Sequence, residues 1–337
     1  MTLKTKQAPS KAESYSKTAD SHFKNSIVRI PFLSAAIDSW QFASRAFITD
    51  HRSYRAKQQW KSFFAALLNP KFASKWFEIL KSPDYHIIAK HRTKLYFKPF
   101  RVYMSIRWTK KQKTKVILDT YRFIMSKGKT FMQVITDKRG IEVARFKLND
   151  TTEGTLMLGY DDRYRKEGEL VFSFECEQLG GMIAAAAFSF EEMEEGRWVC
   201  RIACVQGHIK NIDNSAKTAQ KLLHGLRPKS LIVYTIQEFS RQLGFTAVYG
   251  AGDSIQAYRR KHTIHLPWRH GIQFDYNAIW SESAGQPVSD GWYEIPLKPA
   301  LKDIQEVKSS KRAYYNRRYS MLDNLSLQIA DAVKKLS

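Results

Sequence analysis

The stretch MIAAAAFSFEEMEEGRWVCRIACVQG, residues 182–207, holds two long runs of apolar and β-forming residues, MIAAAAFSF and RWVCRIACVQG, on either side of Gly196. Runs of this length between turn residues are typical of strands inside a sheet. Four further runs precede them, separated by Gly and Asp: FMQVIT (131–136), IEVARFKL (141–148), GTLMLGY (154–160) and ELVFSFECE (169–177). The sequence therefore predicts a strand-rich body that begins near residue 131.

Helices and one more strand follow residue 207. A helical interval from about 215 to 243 has one apolar face, and Gly244 follows it as a C-terminal stop. The segment FTAVYGAG (245–252) reads as a strand, and a proline-containing loop region leads to a last basic helix, residues 308–336. We therefore expect an α/β (α+β) fold with a mixed-sheet C-terminal body. The apolar face of the helical interval consists of Ile232, Ile236, Phe239 and Leu243.

The first third of the chain is basic, aromatic and helical. Residues 1–25 are polar and rich in Lys and Ser, which is typical of a disordered tail. An apolar stripe at helical spacing follows, and Asn69-Pro70 ends it before a second helix with Phe72, Trp76 and Leu80. The predicted organisation is a tail at 1–25, a helical region at 26–130, the body at 131–300 and the C-terminal helix at 301–337. The stripe consists of Trp60, Phe63, Phe64, Leu67 and Leu68.

Charge is concentrated in this first third. The 337 residues include 55 Lys and Arg against 32 Asp and Glu, a formal net charge of +23. Residues 1–130 carry 27 basic and 7 acidic side chains, whereas residues 131–337 carry 28 and 25. Such a basic region favours polyanionic partners. Three readings stay open: an anionic membrane surface, single-stranded nucleic acid, or aromatics that form the helical core beneath a solvated basic face. Because no nucleic-acid motif is recognisable, lipid is favoured over nucleic acid.

Cysteine usage and hydropathy bear on location. The three cysteines, Cys176, Cys200 and Cys204, include no CxxC pair, which favours a reducing compartment over a disulfide-stapled secreted fold. Neither a signal peptide nor an apolar run long enough to cross a membrane is recognisable in the sequence. We therefore expect a cytoplasmic protein, with any membrane contact being peripheral.

Two segments could carry chemistry. Gly225–Ser230 enters the second predicted helix, where Arg227 and Lys229 oppose the positive end of the helix dipole by a few tenths to about 1 kcal/mol each. Binding of a phosphate or pyrophosphate would offset that cost; alternatively, both side chains simply extend into water. Gln206, Gly207 and His208 lie at a predicted strand end, the usual position of ligands in open α/β sheets.

Candidate bases and metal ligands are few. His208 is either a general base or a turn residue without a chemical role. Among the acidic candidates, which also include Glu167 and Asp253, we rank Glu282 first because Trp280 could raise its pKa by desolvation. Cys200, Cys204 and His208 are four residues apart and would share a face in a regular strand, but they lack ordinary ligand spacing, so no metal is expected. Motifs typical of α/β-hydrolases, P-loop NTPases, zinc proteases and Rossmann dehydrogenases are absent from the sequence.

Six motifs occur in order along the chain: YDDRYRKEGEL (160–170), IACVQGH (202–208), LLHGLRPKSL (222–231), YNAIWSE (276–282), DGWYEIP (290–296) and KRAYYNRRY (311–319). With these motifs the chain resembles the VirK/YbjX family of Gram-negative bacteria, over most of its length from about residue 30. The resemblance implies a cell-envelope role in virulence and in tolerance of cationic antimicrobial peptides, without an assigned reaction.

The order strand, strand, helix, strand between about 182 and 252 is also similar to the core of GNAT-type acyltransferases. This resemblance implies an acyl-CoA donor and transfer of its acyl group to an amine or hydroxyl. Gln206, Gly207, Arg227 and Lys229 would then bind the donor, with His208 or Glu282 as base. The alternative is a non-enzymatic accessory on the inner face of the cytoplasmic membrane that binds a protein partner and supports export or surface presentation of envelope or virulence factors, such as toxin transport.

Overall fold

The computed structural model describes residues 31–194, 196–207, 215–257, 275–299 and 301–336. The chain divides into two compact units, residues 1–86 and 87–337. The first is helical where it is described, and the second contains a mixed sheet with helices. The predicted α/β class is thereby confirmed, whereas the predicted tail at 1–25 lies outside the described residues.

The first unit contains α1 (Pro31–Ala46), α2 (Arg52–Leu67) and α3 (Pro70–Lys81). Pro70 occupies the first turn of α3, as the Asn69-Pro70 pair predicts. The apolar face of α3 is buried, and it includes the predicted Trp76 and Leu80 at 1% and 0% exposure. Burial of these large side chains supplies much of the apolar contact that stabilises the unit.

Helix α2 is oriented differently from the prediction. Its buried residues are Gln58, Ser62 and Ala66. The Ser39 hydroxyl of α1 donates to the backbone carbonyl of Ser62 at 3.0 Å, so small and polar residues line this helix contact. The interpretation of the aromatic stripe as helical core is therefore wrong for three of its members. Trp60, Phe64 and Leu68 are 53%, 51% and 78% exposed.

Helix α4 (Pro83–His91) begins in the last residues of the first unit and ends in the second. The second unit then contains α5 (Lys110–Ser126) and α6 (Lys129–Thr136). The last of these corrects the prediction that FMQVIT, residues 131–136, is a strand. Phe131, Val134 and Ile135 are fully buried at i, i+3 and i+4, one face of a helix. A run of only six residues is compatible with the two-residue spacing of a strand and with the spacing of a helix, and here the segment after Gly128 forms a helix.

Eight strands of the described chain form one sheet in the order β1-β2-β3-β4-β5-β6-β8-β7. Strands β1 to β5 pair antiparallel, β6 pairs parallel to β5, and β8 pairs antiparallel to β6. The other strand predictions are confirmed. The strands are β1 (Ile141–Lys147), β2 (Glu153–Gly159), β3 (Leu170–Cys176), β4 (Gly181–Glu194), β5 (Arg197–Gly207), β6 (Ala247–Ala251), β7 (Gln286–Pro287) and β8 (Trp292–Ile295).

Helices α7 (Ser215–Leu222) and α8 (Pro228–Gln242) connect β5 to β6; α9 (Tyr276–Glu282) and α10 (Ser309–Leu336) follow. On one face of the sheet, the Phe172 ring packs edge-on against Phe239 of α8 at 5.1 Å between centroids. Nearby, Phe190 lies 5.2 Å from Phe123 of α5. This aromatic layer fixes α8 against the sheet and thereby fixes the position of its N-terminus.

A buried polar network lies elsewhere in the second unit. The Lys98 ammonium is 2.7 Å from the Glu169 carboxylate, and both side chains are almost completely buried. The Tyr121 hydroxyl donates to the other carboxylate oxygen. Ser189 accepts the Glu169 backbone N–H at 3.0 Å and pairs with the Tyr103 hydroxyl at 2.8 Å. Burial lowers the pKa of Lys98, and the neighbouring Glu169 opposes that shift.

Candidate functional site

A β-bulge near the end of β5 changes the face of the sheet to which its last residues point. Phe188 of β4 pairs with Ile202, but the preceding residue, Ala187, pairs with Cys204. Ala203 is therefore the extra residue of the bulge. Because successive residues of β4 point to opposite faces, Ile202 and Cys204 also point to opposite faces, although they are two apart.

The bulge overturns the prediction that Cys200 and Cys204 share a face of the strand. Cys200 pairs with Phe190 of β4 and so lies on the aromatic face, close to Ser240 of α8. Cys204 belongs to a buried cluster with Tyr164. His208, the third residue of that predicted set and a candidate base, lies outside the described residues.

The parallel pairing of β5 with β6 is short. It runs from Val199–Ala247 to Ile202–Gly250, so the end of β5 continues without β6. The fully buried Trp280 of α9 occupies the adjoining space: its indole N–H donates to the Ala251 carbonyl at 2.9 Å. A β-carbon at Gly250 would lie 2.5 Å from the indole ring, so glycine is required there. We call the place where β5 continues beyond its pairing with β6 the strand notch.

Three ionisable side chains meet at the strand notch. The Tyr276 hydroxyl accepts the backbone N–H of Val205 and hydrogen-bonds the Cys204 thiol. Glu167 lies close enough to both groups to affect their pKa values. Burial is the largest cause that raises the pKa of Cys204, Tyr276 and Glu167.

Glu167 is the unusual member of this group. Its Oε2 atom is buried and accepts no hydrogen bond within the described structure. A buried carboxylate oxygen without a donor is costly, and such atoms are concentrated at functional positions. Sequence reasoning ranked Glu167 below Glu282. The only signal for it was its position in the motif at 160–170.

The N-terminus of α8 borders a cavity of about 440 Å³ beside the end of β5. Four of the predicted site residues line it together: Gly207, Arg227, Lys229 and Glu282. Of the other two, Gln206 lies beside the Cys204 thiol, and His208 is outside the described residues. Gly207 follows Cys204 on β5 by three residues, and Asp275 directly precedes Tyr276, so the cavity that Gly207 and Asp275 line adjoins the strand notch.

Cations and backbone amides of this cavity suit an anion. Arg227 is the N-cap of α8, and no side-chain hydrogen bond caps the helix there, while Pro228 occupies the first turn. Burial lowers the pKa of Lys229, and the nearby Arg227 lowers it further. A β-carbon at Gly207 would lie 3.6 Å from the Lys229 Cε atom, an ordinary van der Waals contact, so the Lys229 side chain lies directly beside the end of β5.

Glu282 has a partner within the cavity. Its Oε1 atom is 2.6 Å from Arg227 Nη1, and the two side chains are 46% and 62% exposed. An ion pair this exposed contributes about 0–1 kcal/mol to stability and can be exchanged for another anion. The third acidic candidate, Asp253, accepts the backbone N–H groups of Tyr276 and Asn277 at 3.2 and 3.4 Å and so caps α9.

Among the described residues, no group of three or more His, Cys, Asp or Glu side chains could hold a metal ion. No described helix combines the length and the apolar character needed to cross a bilayer.

The family model described as "Protein of unknown function (DUF535)" matches residues 51–331. The chain belongs to the DUF535 family. It is 27% identical over 289 residues to the uncharacterized protein YbjX of Escherichia coli K12, covering 83% of each chain. An uncharacterized Haemophilus influenzae protein is 34% identical over 131 residues, 39% of this chain and 42% of that protein. No solved structure matches this DUF535 chain. The VirK/YbjX resemblance is thereby confirmed.

Proposed function

We propose that this protein transfers an acyl group from a CoA-type thioester to an amine or hydroxyl acceptor. The cavity beside α8 carries the proposal, because it combines uncapped helix N–H groups, two cations and a glycine at a strand end. Such an arrangement favours the pyrophosphate of a nucleotide-derived donor. Arg227 would exchange Glu282 for a donor phosphate, and Lys229 would contact the same phosphate group from the first turn of α8.

In the proposed reaction Glu167 is the base, and Glu282 holds Arg227 until the donor binds. The nucleophile forms a new C–N or C–O bond with the thioester carbonyl and gives its proton to Glu167. The thiolate leaves with the electron pair of the C–S bond and is protonated by solvent. Glu167 is suited to this role because it is buried and has one oxygen without a donor in the described structure. His208 stays an alternative base from the sequence.

The acceptor is proposed to be a component of the cell envelope or an envelope-directed peptide. The VirK/YbjX resemblance supports this choice, because it implies tolerance of cationic antimicrobial peptides. Acylation removes the positive charge of an amine, so an acylated cationic peptide would be attracted less to anionic envelope components. The basic first third of the chain, with 27 basic and 7 acidic side chains, would hold the protein near anionic components.

Donor binding is tested by thermal stabilisation with acetyl-CoA and longer acyl-CoAs. A ligand that binds only the folded state at about 100 times its Kd adds about 2.7 kcal/mol to stability. We expect the melting temperature of the wild type to rise by several degrees and the Arg227→Ala/Lys229→Ala variant to lose the rise.

The matched control is Lys308→Ala/Lys311→Ala, which also removes two cations but from exposed positions at the start of α10. This variant should keep the full rise. If no acyl-CoA stabilises the wild type, or if the cavity variant is stabilised equally, donor binding at this cavity is wrong.

A further inference from the structure

The exposed side of α2 is apolar. Trp60, Phe64 and Leu68 follow one another at intervals of four residues and are all at least half exposed. The Trp60 and Phe64 rings stack at 5.7 Å between centroids, so the exposed aromatic surface is continuous. Meanwhile the buried side of the helix holds Gln58 and Ser62. Large apolar residues outside and polar residues inside are the reverse of an ordinary surface helix.

Helix α1 extends this surface. Trp40 packs edge-on against Trp60 at 4.9 Å between centroids. Leu33 and Ile37 precede Trp40 by seven and three residues, which is one face of a helix, and they are 41% and 49% exposed. We call the set Leu33, Ile37, Trp40, Trp60, Phe64 and Leu68 the apolar face. An exposed apolar area formed by two helices marks an interaction surface.

Cations border the apolar face, and they decide what it binds. Lys57 and Lys61 are exposed and lie three residues before Trp60 and Phe64, so each is a neighbour on the helix surface. Helix α2 contains four Lys or Arg and no Asp or Glu. Lys71, in the first turn of α3, adds another exposed cation close in sequence to Leu68.

We infer that the apolar face docks on an anionic membrane surface. Trp, Phe and Leu side chains settle at the boundary of headgroups and acyl chains, and flanking Lys residues attract anionic lipid. A protein partner or a second copy of this chain would need complementary acidic residues, whereas the apolar and cationic pattern of α2 alone suits lipid. This inference concerns only the first unit and does not depend on acyl transfer.

Cosedimentation of the full chain with lipid vesicles tests the inference. Vesicles of phosphatidylcholine alone are compared with vesicles that also contain phosphatidylglycerol, at about 50 and 500 mM salt. We expect binding to the phosphatidylglycerol vesicles at low salt and release at high salt. The variant Trp60→Ser/Phe64→Ser/Leu68→Ser should bind at least roughly tenfold more weakly than the wild type, because it loses the apolar area that inserts into the membrane.

Two further variants separate the contributions. Lys57→Gln/Lys61→Gln should bind the anionic vesicles roughly tenfold more weakly, since each base near anionic lipid contributes to attraction. Leu327→Ser on α10 is the matched control, because Leu327 is 69% exposed but lies in the second unit. It should bind like the wild type.

The inference is overturned if the wild type does not bind anionic vesicles at low salt, or if the triple serine variant binds them as well as the wild type. It is also overturned if the wild type is a dimer and the triple serine variant is a monomer, because a second copy of the chain would then cover the apolar face. The Arg227→Ala/Lys229→Ala variant should bind vesicles normally. Vesicle binding without acyl-CoA binding would therefore keep this inference, remove the acyltransferase proposal and favour the accessory role.

Discussion

Replacing Lys98 by Ala is expected to lower the free energy of unfolding by about 3–5 kcal/mol, the usual cost of leaving one member of a buried ion pair without its partner. The Glu169 carboxylate would stay in the protein interior at 0% exposure and would lose its cation, while the Tyr121 hydroxyl still donates to it. The removed methylene groups would also leave a cavity. Chemical denaturation of the purified variant measures the loss.

Lys81→Ala is the control for this prediction. The Lys81 ammonium lies 2.8 Å from the Asp38 carboxylate, nearly the same distance as in the buried pair, but its side chain is half exposed. Water screens such a pair, so its loss should cost about 0–1 kcal/mol. If the two Lys→Ala variants lost equal stability, burial would not govern the Lys98–Glu169 interaction.

The buried network also predicts partial recovery by a compound variant. Lys98→Met/Glu169→Leu/Tyr121→Phe removes the cation, the carboxylate and the hydroxyl that donates to it. Apolar replacements of similar volume are often neutral or stabilising relative to a buried pair. This variant should therefore be more stable than Lys98→Ala, and a lower stability would show that Ser189 and Tyr103 depend on Glu169 for their own positions.

The network was not predictable from local pattern. Lys98 lies in a cluster of bases and aromatics, and in sequence nothing distinguishes it from its solvated neighbours. Its partner is 71 residues away. In contrast, the strands at 141–207 were predictable, because their apolar runs are bounded by turn residues and are buried in the sheet. The end of α8 at Gly244 was predictable for a local reason too, since that glycine has φ +78°.

The candidate site was predictable only in part. The sequence placed Gly207 at a strand end and Arg227 and Lys229 at a helix start, and the cavity brings these residues together with Glu282. It could not reveal the bulge at Ala203, because one extra residue in an apolar run leaves the run apolar. Without the bulge, the face that Cys204 occupies is assigned incorrectly, and its contact with Tyr276 is missed. Exposure of the α2 stripe was unpredictable for a related reason: periodicity defines a face but not its neighbour.

Glu167→Gln is expected to lower the rate of acyl transfer by about 10²–10⁴, the usual contribution of a general base. Glutamine has nearly the same shape and cannot accept the proton of the nucleophile. Stabilisation by acetyl-CoA should stay at the wild-type level, because Arg227 and Lys229 are unchanged. Release of the CoA thiol from acetyl-CoA, with primary amines as acceptors, measures the rate.

The pH dependence of the rate gives a second readout. Burial raises the pKa of Glu167 above its ordinary value of 4.5, although Lys166, Arg165 and Lys98 oppose the shift. The base must be ionised, so the wild-type rate should rise with pH as Glu167 loses its proton. The Gln variant should lack this rise. A residual rise in the variant would assign the ionisation to another group, such as His208.

As pH rises and Glu167 loses its proton, the stability of the protein should fall while the rate of acyl transfer rises. Because the folded pKa of Glu167 is raised, the stability that its protonated form contributes is complete below the unfolded pKa and is lost as pH rises through the folded pKa. Glu167→Gln should therefore be at least as stable as the wild type near about pH 7 and should lack this loss. A variant that lost both activity and stability would indicate a structural role for Glu167 instead.

Glu282→Gln separates the two acidic candidates with the same chemical change. Glu282 is 46% exposed and pairs with Arg227, so its loss frees the cation for the donor phosphate. We expect acyl-CoA to bind this variant more tightly and the maximal rate to stay near the wild-type value. The opposite pattern, with Glu282→Gln inactive and Glu167→Gln active, would restore Glu282 as the base. Glu282 lines the cavity, whereas Glu167 lies at the strand notch and is buried without a donor for its Oε2 atom in the described structure. The paired substitutions therefore test whether burial or proximity to the donor selects the base.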